Sequence, residues 1–173
     1  MSSNVPIYKK FSWASLLPQF LVIGIFSFIA SLIGLNDILN LHGIIANIMY
    51  GAIGQTIIWF GLRSIVAKFH KQGMNLVKQE KFSDAIPFFL DSLEMFAKYS
   101  WVDKYRYFLI SSSKLSYREM DLNNIAFCYS QIGEKEKAIQ FYKQTLQEFP
   151  DSGVAKAAMN FINTVRGNDK QNI

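Results

Sequence analysis

Side chains that could catalyse a reaction or hold a metal are few in this chain. It has two histidines, His42 and His70, and one cysteine, Cys128. His42 lies at the edge of an apolar segment and His70 lies among lysines, so the two do not form a metal-ligand pair. Cys128 lies between Phe127 and Tyr129, where a free thiol packs as a small apolar side chain. Because a Gly-rich phosphate loop is also missing from the sequence, we expect neither an enzyme nor a cofactor.

The distribution of charge divides the chain into two parts. Between Phe11 and Leu62 the only Asp, Glu, Lys, Arg or His residues are Asp37 and His42, whereas 16 of the 18 basic residues lie from Arg63 onward. The pI of about 9.3 would suit a nucleic-acid partner. The basic residues alternate with Asp and Glu, however, so no nucleic-acid binding is expected. A single cysteine excludes an internal disulfide and indicates a reducing compartment.

Two apolar runs, residues 13–35 and 41–62, predict a transmembrane helical hairpin over residues 13–62. Each run has 22 or 23 residues, which is enough to cross a hydrocarbon core about 30 Å thick at about 1.5 Å per residue. A cleaved signal peptide has a shorter apolar core and ends at small residues. The first run is therefore interpreted as a retained helix.

Basic residues flank the outer ends of the predicted hairpin but are absent from its loop, residues 36–40. The positive-inside rule then places both termini in the cytoplasm, including the N-terminal flank of residues 1–12. Trp13 and Trp59 would lie at that same interface, which tryptophan prefers. The basic residues expected to contact lipid head groups are Lys9, Lys10, Arg63, Lys68 and Lys71.

Small residues recur at helical spacing along both apolar runs. Because lipid supplies no hydrophobic driving force between helices, close backbone contact over small residues stabilises helix pairs in membranes. The alternative is that glycine is simply common in membrane helices. The residues predicted to pack are Gly24, Ser27, Ser31 and Gly34 on the first helix, and Gly43, Asn47, Gly51, Gly54 and Gly61 on the second.

Residues 119–152 show the pattern of two short helices separated by Gly133, which can end a helix in the left-handed conformation. The residues that carry the pattern are Leu122, Ile125, Ala126, Tyr129, Ala138, Tyr142 and Pro150. Their order and spacing resemble the tetratricopeptide repeat, a helix–turn–helix unit of about 34 residues. The resemblance implies a superhelical array of such units that binds another protein.

Residues 66–99 form a weaker copy of this unit. Phe69, Gly73 and Leu76 take the first-helix positions, and Ala85 and Phe89 take the second-helix positions. The closing proline of the family pattern is missing here. Two repeats with a cap give only just enough bulk for a stable array.

The rest of the second half is assigned around these repeats. Residues 100–118 depart from the regular spacing and predict a short extra helix, and residues 153–166 predict a capping helix before a tail at 168–173. The predicted fold is therefore all-α, with the hairpin followed by a repeat-like α-solenoid over residues 63–167. Since residues 41–78 contain no proline, the second membrane helix is predicted to continue into the first repeat without a break.

The resemblance also implies where a partner would bind, because first helices usually line the groove of these domains. The groove candidates are His70, Met74, Val77, Asn123, Phe127 and Ser130. The absence of Lys and Arg at these positions argues against a receptor for chaperone tails, and their apolar character favours an amphipathic helix or an extended peptide. The alternative is that Met74 and Phe127 only pack in the core.

Three functions remain open on the sequence. The first is a membrane-anchored adaptor or assembly factor that binds a protein or peptide at the cytoplasmic membrane face. The second is an accessory subunit of a larger membrane complex, which it would contact mainly through the hairpin. The third is a self-assembling membrane-active protein, favoured only by the small-residue stripes, which would also allow a homo-oligomer.

Overall fold

The computed structural model describes residues 12–35, 43–109 and 113–171. The regular elements in these ranges are helices, which confirms the predicted all-α class. The α-helices are α1 (Leu16–Leu32), α2 (Ile44–Val66), α3 (Lys68–Lys78), α4 (Phe82–Lys98), α5 (Ser100–Lys104), α6 (Arg106–Leu109), α7 (Tyr117–Gln131), α8 (Lys135–Glu148) and α9 (Gly153–Gln171). A short 3-10 turn, Trp13–Ser15, precedes α1.

The described residues form two compact units. The first, called the hairpin unit, contains residues up to 68 together with 101–109 and 113–114. The second, called the helical module, contains residues 69–100 and 115–171.

Helices α1 and α2 pack against each other as a hairpin. Both differ in length from the predicted spans, 13–35 and 41–62. Helix α1 stops at Leu32 because Gly34 takes a left-handed conformation with φ of 69°. Gly43, with φ of 104°, precedes α2, which therefore begins at residue 44 and runs four residues past the predicted end. The loop residues 36–42 lie outside the described ranges.

Helix α2, with 23 residues, is long and apolar enough to cross a membrane, and α1 is a shorter apolar helix. Large apolar side chains of both helices are exposed, among them Leu17, Phe28 and Ile57 at 77%, 65% and 67%. Arg63 is the only charged residue in the two helices. By length and composition, α2 can therefore cross a membrane.

The prediction of an unbroken helix over residues 41–78 is wrong. Helix α2 ends at Val66, and Ala67, with ψ of 16°, separates it from α3. The Ala67 amide donates to the carbonyl oxygens of Arg63 and Ile65. This tightened last turn interrupts the regular helical hydrogen bonding, in which each amide bonds only to the fourth residue before it.

The helical module contains two helix–turn–helix units, α3–α4 and α7–α8, whose turns are alike. In the first turn Glu80 has φ of 60°, and in the second Gly133 has φ of 83°. The Glu80 amide donates a hydrogen bond to the carbonyl oxygen of the third residue before it, and the Lys81 amide donates to that of the fifth residue before it. In the second turn, the Gly133 amide likewise donates to the third residue before it and the Glu134 amide to the fifth. The two turns therefore share one backbone geometry, repeated after the same interval as the alanines Ala85 and Ala138.

The core of the helical module lies where these helices meet. One apolar cluster joins α3, α4 and α7 through Val77, Phe89 and Ile125. Gly73 is needed there, because a Cβ at this position would lie 2.7 Å from Cε1 of Phe89. A second cluster joins α7, α8 and α9 through Ala126, Tyr142 and Ala155. Small residues thus lie at the closest helix contacts.

The ends of the helical module also differ from prediction. Helix α7 begins at Tyr117, two residues before the predicted repeat, because Ser116 caps it by accepting a hydrogen bond from the Glu119 amide. Helix α9 continues to Gln171, beyond the predicted cap helix of 153–166 and into the predicted tail. The single helix predicted within 100–118 is instead two short helices, α5 and α6.

Candidate interaction surface

The six predicted groove residues do not form one open surface. Val77 and Asn123 are each only 2% exposed and belong to the interior. Asn123 donates to the Glu119 carbonyl at 2.9 Å and to the Ser152 hydroxyl at 3.3 Å, which joins α7 to the start of α9. For these two residues the prediction of a groove lining is wrong, since both already pack or hydrogen-bond inside the helical module.

His70 holds α3 against α7 rather than facing a groove. Its Nδ1 lies 2.5 Å from Oδ1 of Asp121, whose side chain is fully buried. The rings of Tyr117 and Phe89 lie edge-on to the imidazole at centroid distances of 5.2 and 6.0 Å. A buried carboxylate needs such a partner. The role of Asp121 was not predicted, because apolar periodicity gives no signal for a buried acidic residue.

Besides His70, three of the six candidates keep some accessible surface. Met74 and Phe127 are half-buried, and Ser130 is exposed. The Met74 sulfur accepts a hydrogen bond from Asn124, and Phe127 contacts Phe82 edge-on at 5.8 Å. A partner could therefore meet a small patch of Met74, Phe127 and Ser130, which is what remains of the predicted groove.

Among the described residues, two features bear on chemistry: the free thiol of Cys128 and the arrangement of possible metal ligands. Burial raises the pKa of the Cys128 thiol to about 12, so it stays protonated and is a poor nucleophile. Within the described ranges, no group of three or more His, Cys, Asp or Glu residues is placed to hold a metal ion.

In the hairpin unit, two of the predicted packing glycines face α1. A Cβ on Gly51 would overlap Oγ of Ser27 and lie 2.5 Å from the carbonyl oxygen of Ile23, and one on Gly54 would lie 3.4 Å from Phe26. Added Cβ atoms on Gly24, Gly43 and Gly61 would meet nothing within 4 Å. Those three predictions of close packing are therefore wrong.

The remaining predicted packing residues are Ser31, Gly34 and Asn47. Ser31 is exposed, Gly34 ends α1, and Asn47 is half-buried. The Asn47 Oδ1 and the Tyr50 hydroxyl are buried and have no hydrogen-bond partner among the described residues. At Gly51 the backbone of α2 comes close to α1, because α2 has no side chain there to separate the two backbones.

Three of the five residues predicted to contact lipid head groups lie among the described residues. Lys9 and Lys10 lie outside the described residues. The Arg63 guanidinium lies over the Trp59 ring, 4.8 Å from its centroid. Lys68 and Lys71 are exposed.

Sequence reasoning missed the role of Arg106 in the hairpin unit. Its guanidinium donates to three backbone carbonyls, those of Asp103, Ser113 and Lys114, at 2.9 to 3.3 Å. It also lies over the Tyr107 ring, 4.6 Å from the centroid. Helix α6, which begins at Arg106, packs against both α1 and α2. The arginine thus fixes a short segment that is attached to the hairpin.

No protein family, curated protein or solved structure matches this chain.

Proposed function

We propose that this chain is a membrane-anchored adaptor. The α1–α2 hairpin spans the bilayer, and the helical module, of tetratricopeptide-repeat type, binds a protein or peptide at the cytoplasmic face. The observation that carries the proposal is the exposure of large apolar side chains along two helices that contain a single charge.

Such a surface is costly in water, at about 25 cal/mol for each Å² of apolar area. In a bilayer the same surface is compatible with its surroundings. The hydroxyls of Ser27 and Thr56 donate to carbonyls four residues earlier, at 2.8 and 2.7 Å, and so need no partner outside their own helices. Helix α1, with 17 residues, is about 25 Å long, and local thinning of the bilayer accommodates a short apolar helix.

The repeat assignment is supported by the two matching turns and by the small residues at helix contacts. Ala85 and Ala138 are buried at 0% and 1% exposure in the second helices of the two units. Gly73 lets α3 approach Phe89 of α4. A module of this type binds partners through the surface of its helices, and the patch of Met74, Phe127 and Ser130 suits an apolar peptide side chain with a polar edge.

Topology mapping tests the anchor. Single cysteines are introduced at residues 3, 40 and 170 of the full chain, and sealed vesicles are treated with an impermeant maleimide. Cys128 adds little background because it is buried. Residues 3 and 170 should react from the same side and residue 40 only from the other. Reaction of residues 3 and 170 from opposite sides rules out the hairpin.

Crosslinking tests the adaptor role against the accessory-subunit alternative. A photoreactive amino acid is placed at Ser130 in the helical module or at Gly24 in the hairpin, and crosslinked proteins are identified by mass spectrometry from native membranes. An adaptor should yield its partner from Ser130 and not from Gly24. Crosslinks confined to Gly24 favour the accessory subunit, for which the hairpin is the main contact.

A further inference from the structure

We infer that residues 101–109 dock onto the lipid head-group layer, with Trp101 and Tyr105 at the boundary of the acyl chains and Lys104 facing anionic lipid. The inference rests on the proposed membrane span of the hairpin. It adds a second membrane contact, formed by a segment that lies far from α1 and α2 in sequence.

The position of the segment follows first from packing. Helix α6 contacts both α1 and α2 within the hairpin unit, so its position relative to the bilayer is set by these two helices. Arg106 binds three backbone carbonyls of residues 103–114 and holds the segment together. A helix attached to two membrane-spanning helices lies either within the bilayer or at its surface.

Charge decides between these two depths. Lys104 is exposed, and a lysine or arginine at the bilayer centre costs about 2.5 kcal/mol or more. The segment therefore lies at the head-group level. Within residues 101–109 there are two basic residues, Lys104 and Arg106, and one acidic residue, Asp103. This excess of positive charge suits anionic lipid.

Two exposed aromatic side chains of the segment also favour a position at the head-group level. Trp101 and Tyr105 are 56% and 49% exposed. The Tyr105 amide donates to the Trp101 carbonyl at 2.9 Å, so the two residues lie one helical turn apart on the same face. Tryptophan and tyrosine prefer the membrane interface, because one end of each ring system is apolar and the other is polar. A lipid interface fits this pair of aromatics beside a lysine.

Tryptophan quenching in vesicles tests the inference on the full chain. Trp13 and Trp59 are replaced by Phe, which leaves Trp101 as the only tryptophan. The protein is reconstituted with lipids brominated near the head-group end or near the methyl end of their acyl chains. Trp101 emission should be lost mainly with the first lipid, and aqueous iodide should quench it weakly.

A reference variant with only Trp59 separates failure of the inference from failure of the anchor. If brominated lipid quenches Trp59 but only iodide quenches Trp101, the docking is overturned and the anchor remains supported. Trp101 quenched by neither agent means that protein covers it, such as a second copy of the chain, and also overturns the docking. If neither tryptophan responds to brominated lipid, the anchor and the inference both fail.

Charge reversal tests the lipid class. The substitution Lys104→Glu should reduce Trp101 quenching in vesicles containing phosphatidylglycerol and have no effect in pure phosphatidylcholine. The matched substitution Lys143→Glu, at an exposed lysine of the helical module, should leave Trp101 quenching unchanged in both. Equal effects of the two substitutions would show that Lys104 makes no specific contact with anionic lipid.

Discussion

Glu80 and Gly133 occupy the same position in the two turns of the helical module, and both have positive φ. The substitutions Glu80→Gly and Gly133→Ala should therefore change the free energy of unfolding in opposite directions. Glu80 is exposed, so its replacement removes little packing. A Cβ on Gly133 would meet no atom within 4 Å, so its cost would come from the backbone alone.

The magnitude follows from two opposing terms. A residue with a Cβ in the left-handed region costs about 1–2 kcal/mol. Glycine widens the unfolded ensemble, which offsets about 0.4–1 kcal/mol of this. We therefore expect Glu80→Gly to stabilise the helical module by roughly 0.5–1 kcal/mol, and Gly133→Ala to destabilise it by a similar amount. For a domain of this size the melting temperature should shift by about 2–8 °C.

The single cysteine provides the assay. Cys128 is buried in the helical module, so its alkylation at a series of urea concentrations reports unfolding of that module in the intact chain. A control is Glu94→Gly, at an exposed position inside α4, where glycine should cost about 1 kcal/mol. If Glu80→Gly lowers the urea midpoint as Glu94→Gly does, the assignment of equivalent left-handed turns is refuted.

Three further predictions concern the helix contact in the hairpin, a buried hydroxyl of α2, and an ion pair of the helical module at low pH. Gly51→Ala should destabilise the hairpin in detergent by about 1–3 kcal/mol through overpacking. Gly61→Ala adds a Cβ that meets nothing within 4 Å among the described residues, so it should leave the melting temperature unchanged or raise it, since alanine favours a helix interior; equal effects of the two substitutions contradict the contact. Tyr50→Phe removes a buried hydroxyl that has no hydrogen-bond partner among the described residues, so the melting temperature should stay the same or rise, and a clear fall would reveal a partner. Hydrogen bonds from Arg118 lower the pKa of Glu148; this stabilisation is present above the unfolded pKa of about 4.3 and is lost as pH falls through the folded value. Glu148→Gln should therefore lower the free energy of unfolding at neutral pH, measured by urea denaturation, by less than about 1 kcal/mol, because the pair is partly exposed. The difference should vanish near pH 3, and an equal difference at both pH values contradicts the ion pair.

The sequence predicted the bounds of the helices in the second repeat closely, but it predicted the interface residues poorly. Ala138 and Tyr142 are buried as their apolar spacing predicted. Val77 and Asn123 were assigned to a groove by position in the family pattern, yet both are interior. That pattern assumes a regular array, in which equivalent positions on the first helix of every repeat are exposed.

Helix α7 explains why that assumption fails here. It packs against both α4 and α8, and its buried residues lie on nearly every side, including Glu119, Asp121 and Asn124. Apolar periodicity identifies one buried face of a helix, so it could not reveal that polar residues of α7 are covered as well. The buried carboxylate of Asp121 is paired with His70, which comes to it from another helix.

The sequence by itself determined the all-α class, the two apolar helices and the turn after α7, because these depend on local composition, period and the conformational freedom of glycine. The turn after α3 takes the same conformation at Glu80, where no glycine marks it in the sequence. Only the tertiary structure decided that Gly51 and not Gly61 meets α1, and that α6 lies against the hairpin. Such contacts depend on which faces of distant segments come together. The physical reason is that a helix fixes the angle between its own side chains, whereas its rotation towards a neighbour is set by packing of both surfaces at once.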